Sequence, residues 1–276
     1  MLAGEGPSCM ADTDVFKHST PELYDRYMVP LLFEPSARVV ADRAARLSPR
    51  RVLETAAGTG VLTAMVNAAL PDAVIVATDV NPAVVEFAAA KFSPGKVTVQ
   101  QANAQQLPFE DESFDLVLCQ FGVMFFPDKV QANSEARRVL EPGGHYLVVT
   151  FDALDRNPIP NAAEEAVARL FPDDPPRYME RGPFSYADRQ LIEADLRSAG
   201  FSQIEIETIG LTTRVNARNA AYGMVLGSPF RAEIERRDSG ELERALDAVT
   251  DALASLDGSE ATTSAHFVTA VRDKRS

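Results

Sequence analysis

Residues 52–60 read VLETAAGTG, an apolar, strand-like run that passes through a turn of small residues into the helix-like stretch 61–70, VLTAMVNAAL. Ala56, Gly58 and Gly60 leave the backbone of this turn bare where larger side chains would keep a ligand away. The free N–H groups at the start of a helix favour an anionic or strongly polar ligand. A strand, a small-residue turn and a helix therefore predict a nucleotide-type site, the alternative being a turn kept small only for tight packing.

On the C-terminal side of this turn, apolar runs of strand length alternate with helix-like stretches. The strand-like runs are RVLET (51–55), VIVATD (74–79), VTVQQA (97–102), FDLVLCQ (114–120) and HYLVVTF (145–151), and the helix-like stretches are 61–70, 82–92 and 128–140. Strands buried on both faces of a parallel sheet read as continuous apolar runs. The pattern predicts an α/β fold with a doubly wound, mostly parallel sheet and helices on both faces.

The flanking regions extend this core without a linker that would divide the chain. A helical segment at 20–47 is expected to be divided by Pro21, Pro30 and Pro35. After Phe151 the sequence predicts helices at 162–170, 187–200, 217–226 and 231–254 and strands at 203–211 and 264–271. We expect one domain over residues 1–276, made of an N-terminal cap (1–47), a cofactor-binding core (48–151) and a region with substrate-chamber insertions and C-terminal strands (152–276).

The net charge and the cysteine content exclude several classes of binding partner and bound group. The chain has 276 residues and a net charge of −13, from 40 acidic and 27 basic residues, so nucleic acid and anionic membrane are not expected partners. No run of apolar residues is long enough to span a bilayer. The two cysteines, Cys9 and Cys119, form neither a disulfide framework nor a metal site. We expect a cytoplasmic protein without a bound metal ion.

Asp79 ends the second strand-like run, where a carboxylate can accept hydrogen bonds from both hydroxyls of a ribose. A nicotinamide-binding fingerprint reads G-x-G-x-x-G. With Gly58 as its second glycine, Ala56 and Val61 stand at the outer positions, and Val61 breaks the pattern. A nicotinamide-dependent oxidoreductase is therefore kept only as an alternative.

The observed pattern from Glu54 to Gly60, E-x-A-x-G-x-G, resembles motif I of the class I S-adenosylmethionine-dependent methyltransferases, which usually reads [D/E]-x-G-x-G-x-G. Ala56 departs from that motif at its first glycine. Residues 77–88 (ATDVNPAVVEFA) and 103–128 (NAQQLPFEDESFDLVLCQFGVMFFPD) resemble later motifs of the family. Residues 137–151 (RRVLEPGGHYLVVTF) are similar to the group that includes the ubiquinone and menaquinone biosynthesis methyltransferases.

This resemblance implies a Rossmann-like sheet of seven strands, the last one antiparallel, with a helical cap before it and a helical insertion before the last strand. It also implies S-adenosylmethionine as cofactor, S-adenosylhomocysteine as product and methyl transfer to an oxygen, nitrogen or carbon atom of a small molecule. A protein that binds S-adenosylmethionine without catalysis is the remaining alternative.

The family's functional positions can be carried onto matching residues. Glu54 would hold the amine of the methionine part, Asp79 the ribose, and Val80 the adenine ring. Asn103 and Ala104 stand where an Asp-Ala pair normally binds adenine. The full set of expected cofactor-binding residues is Tyr24, Tyr27, Glu54, Ala56, Ala57, Gly58, Gly60, Asp79, Val80, Asn103, Ala104, Gln120 and Phe121.

Catalysis is expected to rest mainly on proximity and alignment, because the methyl donor is already activated. His18 and His266 are weak candidates for a general base, whereas His145 is expected to be structural. Aromatic and apolar residues in 152–190 and 212–262 predict a chamber for an apolar or aromatic metabolite: Phe184, Tyr186, Tyr222, Met224 and Phe230. Met224 and Phe230 stand at helical spacing, which is more often that of core residues. Phe125 and Phe126 are expected in the core.

Overall fold

A computed structural model describes residues 21–274. Seven strands form one sheet in the order β3-β2-β1-β4-β5-β7-β6. They are β1 (Arg51–Thr55), β2 (Val74–Asp79), β3 (Val97–Gln101), β4 (Phe114–Gln120), β5 (Leu140–Phe151), β6 (Gln203–Arg214) and β7 (Glu260–Val271). The first five strands run parallel, and β7 is antiparallel to both β5 and β6. The doubly wound sheet with an antiparallel last strand is confirmed.

Helices surround this sheet. In chain order they are α1 (Pro21–Leu23), α2 (Glu34–Leu47), α3 (Val61–Ala69), α4 (Pro82–Ala89), α5 (Lys129–Val139), α6 (Pro158–Ala168), α7 (Tyr178–Arg181), α8 (Arg189–Ser198), α9 (Ala217–Leu226), α10 (Phe230–Arg237) and α11 (Leu242–Ala252). Helix α2 packs on α3, α5 packs on α8, and α11 packs on α6 and α9. No helix within residues 21–274 is long and apolar enough to cross a membrane.

The N-terminal helical segment runs on through Pro30, where the expected division is wrong, whereas Pro21 and Pro35 lie at the starts of α1 and α2. Between α1 and α2 the chain forms a π-helix, Tyr24–Phe33, that contains Pro30. The N–H of Glu34 bonds to the carbonyl of Val29, five residues earlier. Pro35 lies in the first turn of α2, where its missing N–H removes no intrahelical bond. The five-residue spacing of these bonds lets the helical segment run on from the π-helix into α2.

The expected helix over 231–254 is two helices in the structure. It breaks after Arg237, where Asp238 adopts an extended conformation and its carboxylate accepts a hydrogen bond from the N–H of Gly240 at 2.8 Å. This side-chain bond replaces the helical bond and starts a short 3-10 turn before α11. The break separates α10 from α11.

Strands β5 and β7 both begin earlier than the apolar pattern indicates, at Leu140 and Glu260. Gly143, with φ of +86°, remains in β5, and its N–H donates to the carbonyl of Arg272 at 2.7 Å. Glycine adopts this φ without a steric penalty, so the chain pairs through the Pro-Gly-Gly stretch instead of forming a separate turn.

Candidate active site

Three neighbouring parallel strands bring polar side chains to one edge of the sheet. Glu54 in β1 is in register with Ala77 of β2 and with Leu118 of β4. Asp79 and Gln120 each lie two residues further along their strands, so they stand on either side of the turn that follows β1. This edge is where ligands of open α/β sheets bind.

The turn at 56–60 reverses the chain tightly between β1 and α3. Ala56, Gly58 and Gly60 have φ of +51°, +56° and +83°. The N–H of Ala57 donates to the carbonyl of Thr78 at 2.9 Å, which fastens the turn to β2. A Cβ atom built on Gly58 would meet nothing within 4 Å, so this glycine faces open space.

Ala56 is the residue that departs from the family motif, and a second glycine makes room for it. A Cβ atom built at Gly122 would lie 2.4 Å from the Cβ of Ala56. A left-handed conformation costs an alanine about 1–2 kcal/mol. The methyl group therefore fits sterically only because residue 122, just after β4, has no side chain.

Glu54 is buried, with 2% of its surface exposed. The hydroxyl of Thr63 donates to its Oε2 at 2.6 Å. Burial raises the pKa of Glu54 to about 8, although the bond from Thr63 lowers it. A cation bound beside this carboxyl would favour its ionised form.

Asp79 is held by backbone donors at both of its oxygens. The N–H of Gly58 donates to Oδ2 and that of Asn81 to Oδ1, each at 3.0 Å. Burial raises the pKa of Asp79, and the two backbone hydrogen bonds oppose that change. Val80, the next residue in the chain, is 51% exposed.

The first cavity lies between this turn and the N-terminal helical segment. It is lined by Tyr24, Phe33, Glu54, Ala56, Ala57, Gly58, Thr59, Val61, Leu62, Gln120 and Phe121, and its volume is about 370 Å³ including the open mouth. All but Tyr24 and Phe33 lie at the ends of β1 and β4, in the turn or in the first residues of α3. Of the thirteen expected cofactor residues, seven line it: Tyr24, Glu54, Ala56, Ala57, Gly58, Gln120 and Phe121.

Four cavity-lining residues, Phe33, Thr59, Val61 and Leu62, were not among the expected cofactor residues, and Phe33 and Thr59 bear most on the site. The ring of Phe33 stacks on Tyr24 with 5.2 Å between centroids, and only the three-dimensional path of the π-helix brings it to the site. The hydroxyl of Thr59 is buried and has no hydrogen-bond partner in residues 21–274. A polar side chain between two glycines of the turn was a signal that could have identified Thr59.

Tyr24 and Tyr27 lie in different surroundings. Tyr24 lines the first cavity, and burial raises the pKa of its hydroxyl so that it stays neutral. Tyr27 instead stacks on Tyr222 of α9, with 5.6 Å between centroids. Tyr24 therefore lies where a cofactor contact is expected, whereas the ring of Tyr27 packs against α9; a cofactor contact stays a prediction for both residues.

Asn103 and Ala104 follow β3 at the same edge of the sheet. The side-chain oxygen of Asn103 accepts a hydrogen bond from the N–H of Gln105 at 2.9 Å, and Ala104 is buried. Gln120 contacts the cap, where its Oε1 accepts a bond from the hydroxyl of Ser36 at 3.2 Å. These residues are positioned by their own loop and by the cap.

The histidines give no support to a general base in residues 21–274. His266 is 2% exposed and has both ring nitrogens engaged: Nδ1 with the hydroxyl of Thr208 and Nε2 with the carbonyl of Ala187, each at 2.9 Å. His145 pairs with Leu116 near the start of β4, far along the strands from the site edge, and partial burial lowers its pKa. His18 lies outside the described residues.

Most of the expected chamber residues are core. Phe184, Tyr186, Met224 and Phe230 are buried, whereas Tyr222 is partly buried against Tyr27. Phe125 and Phe126 are partly buried and pack against the core, as expected, and both also line a second cavity beyond β4. Within residues 21–274 no group of three His, Cys, Asp or Glu side chains is placed to hold a metal ion.

Comparison with known proteins gives the family. Residues 53–148 match a family described as a methyltransferase domain. The ubiquinone/menaquinone biosynthesis C-methyltransferase UbiE of Escherichia coli is 30% identical over 185 residues, which are 62% of this chain and 73% of that protein. The chain belongs to the class I S-adenosylmethionine-dependent methyltransferases. It uses S-adenosylmethionine as cofactor, and the expected resemblance to the UbiE-like group is confirmed.

Two further comparisons agree. The protein of the same name from Proteus mirabilis is 30% identical over 169 residues, 56% of this methyltransferase and 67% of that one. A solved structure of Haemonchus contortus phosphoethanolamine N-methyltransferase 2, with phosphomonomethylethanolamine and S-adenosylhomocysteine, has 18% identity and a TM-score of 0.61. It covers 96% of this chain and 61% of that chain, which supports the fold.

Proposed function

We propose that this methyltransferase transfers a methyl group to a small-molecule acceptor at the carboxyl edge of β1, β2 and β4. The observation that carries the proposal is the pair of acids Glu54 and Asp79, which flank the turn at 56–60. An acid with no cationic partner is unfavourable inside a protein unless a ligand completes its surroundings. Both acids suit the amine and ribose of one extended nucleoside cofactor.

The side chains around the first cavity fit that cofactor. Glu54 lies in the cavity wall and would hold the cationic amine. The buried hydroxyl of Thr59 has no partner within the described residues 21–274 and would bond to the methionine part. Asp79 would accept bonds from the ribose hydroxyls with the lone pairs that Gly58 and Asn81 leave free. Val80, Asn103 and Ala104 would surround the adenine ring.

When bound, S-adenosylmethionine supplies a methyl group on a cationic sulfur, which keeps the electron pair of the broken carbon–sulfur bond and leaves as neutral S-adenosylhomocysteine. The chain's own residues orient the reacting groups and exclude water. Tyr24 and Phe33, stacked on each other, close the cavity from the cap side. Phe121 and Gln120 border it from β4. Alignment in such a dry pocket supplies most of the acceleration expected for this displacement.

The proposal also assigns a role to each region of the chain and a cellular compartment to the protein. Residues 1–47 would act as the cap, 48–151 as the cofactor-binding core, and 152–276 as the region that shapes the acceptor space. Cys119 is a buried free thiol, which agrees with a reducing compartment such as the cytoplasm.

The test uses the full-length protein and methyl-labelled S-adenosylmethionine. Incubation with a small-molecule extract, followed by mass spectrometry, should reveal a labelled product and stoichiometric S-adenosylhomocysteine. Calorimetry should show one S-adenosylhomocysteine bound per chain. Binding without label transfer to any compound would support a non-catalytic binding protein, and binding of a nicotinamide cofactor instead would overturn the proposal.

A further inference from the structure

A second cavity opens just beyond the end of β4, with a volume of about 640 Å³ including its mouth. Met124, Phe125, Phe126 and Pro127 give it an apolar wall, and Lys129 and Arg181 add two cationic side chains. Among residues 21–274, no carboxylate lines this wall, although the whole chain carries a net charge of −13. This combination of apolar surface and positive charge is distinct from the acidic first cavity.

Lys129 is held in place while most of its hydrogen-bonding capacity is unused. Its Nζ donates to the carbonyl of Phe126 at 3.0 Å and lies 5.2 Å from the ring centroid of Tyr186. An ammonium group has three donors, so two stay available. The neighbouring acid, Asp128, directs its side chain to the N–H of Gln131 in its own helix.

Arg181 ends the short helix α7 and is exposed. Among residues 21–274, no carboxylate forms an ion pair with its guanidinium or with Lys129. Helix α7 is itself anchored, because the carboxylate of Glu164 accepts a hydrogen bond from the N–H of Met179 at 2.6 Å. The two cations are therefore presented from two fixed elements, α5 and α7.

One short segment of the chain supplies lining residues to both cavities. Phe121 lines the first cavity, and the second begins three residues later at Met124. The residues between them follow β4 and run into a 3-10 turn, Val123–Phe125. A molecule in the second cavity would lie beside the position where the methyl donor must sit.

We propose that the second cavity receives the methyl acceptor, and that this acceptor is a small molecule with an apolar or aromatic body and an anionic group bound by Lys129 and Arg181. The inference rests on the proposed function. The anionic group is a carboxylate or a phosphate, since both accept hydrogen bonds from an ammonium and a guanidinium.

The experiment compares three probes of equal ring size: 2-naphthoate, 2-naphthyl phosphate and the neutral 2-naphthylmethanol. Each is titrated into the full-length protein with saturating S-adenosylhomocysteine, and affinity is measured by calorimetry. We expect at least about tenfold tighter binding of one or both anionic probes than of the alcohol, the size of one charge-assisted hydrogen bond. The stronger of the two anions identifies the headgroup.

A matched pair of double variants tests the residues. Lys129→Gln with Arg181→Gln should remove the preference for the anion and leave binding of the alcohol unchanged. Arg46→Gln with Lys96→Gln removes the same charge at exposed positions before β1 and β3, and it should keep the preference. Equal binding of all three probes, no binding of any probe, or a preference that survives in the first variant would overturn the inference.

Binding of S-adenosylhomocysteine alone separates the two proposals. If the wild-type protein does not bind it, the proposed function fails. If it binds normally in every variant while no charge preference exists, only the assignment of the second cavity fails.

Discussion

The Cβ of Ala56 occupies space that a side chain at position 122 would need, since a Cβ built at Gly122 lies 2.4 Å from it. Ala56 adopts φ of +51° at the first position of the turn. The two residues lie after neighbouring strands, β1 and β4, so the turn and the end of β4 must match each other. This relationship explains how the chain accommodates alanine where its family uses glycine.

Gly122→Ala should destabilise the fold by about 2–3 kcal/mol, because the new methyl overlaps Ala56 and crowds Cys119. Ala56→Gly alone should change stability by less than about 1 kcal/mol, since relief of the left-handed strain is offset by greater freedom of the unfolded chain. The double variant should regain more than half of the loss. Urea denaturation checks all three, and strictly additive effects would contradict the pairing.

Glu54→Gln should stabilise the empty protein at alkaline pH. The pKa of Glu54 is about 8 in the fold, above its value of 4.5 in an exposed chain, so the folded state binds more protons between these values. Stability therefore falls as the pH rises through this window, and the glutamine variant escapes that part of the loss. Melting temperatures of the two proteins should agree at pH 5 and differ by several degrees at pH 8.5.

Binding of the cofactor should release a proton from Glu54. Below pH 8 the empty site holds a neutral carboxyl, and the cationic amine of S-adenosylhomocysteine favours the carboxylate. We expect affinity to rise by up to about tenfold per pH unit between pH 6 and 8. Calorimetry in buffers of different ionisation enthalpy measures the proton directly. Glu54→Gln should bind more weakly, and without this pH dependence.

Asp79→Ala should weaken binding of S-adenosylhomocysteine by about 1.5–3 kcal/mol, the range for hydrogen bonds to a charged group. Asn103→Asp should leave the affinity unchanged or increase it, because it restores a charged acceptor near the adenine. Asp79→Ala also removes the acceptor for the N–H groups of Gly58 and Asn81, so its folding is checked by melting temperature. Normal affinity in a folded Asp79→Ala protein would refute the ribose assignment.

The sequence predicted some elements of the fold more accurately than others. Strands β1, β2 and β4 have the bounds that the apolar runs predicted, because continuous runs end at turn residues on both sides. The π-helix at Tyr24–Phe33 and the break at Asp238 depend on local hydrogen bonds that no periodicity reveals.

The candidate site shows the same division. Glu54, Asp79 and the turn at 56–60 were identified because strand ends and glycines mark them in the sequence. Phe33 was missed because a distant helix brings it to the cavity, and the partner of Tyr27 depends on the docking of α9. Contacts between elements that are far apart in the chain could not be predicted from sequence patterns or residue spacing.

His266→Ala should destabilise the fold, by about 1–3 kcal/mol, because the hydroxyl of Thr208 and the carbonyl of Ala187 lose a buried partner. Its remaining activity should keep the pH profile of the wild type, because a buried histidine that bonds to Thr208 and Ala187 is expected to be structural. A shifted profile at unchanged stability would instead mark it as a base.

Tyr24→Ala should weaken the binding of S-adenosylhomocysteine and slow turnover, because it removes the ring that stacks on Phe33 and closes the first cavity. Tyr24→Phe keeps the ring and should retain most of both. Tyr27→Ala is the matched control from the same π-helix: its ring stacks on Tyr222, so it should lower stability more than affinity. Each of these substitutions changes one ring and leaves the buried side chains of Met28 and Val29 in the core. Deleting the whole π-helix would remove those side chains as well. We would compare the three variants by calorimetry, single-turnover rates and melting temperatures, which separate cavity closure from packing. Equal losses of affinity in Tyr24→Ala and Tyr27→Ala would contradict the assignment of Tyr24 as the closing residue.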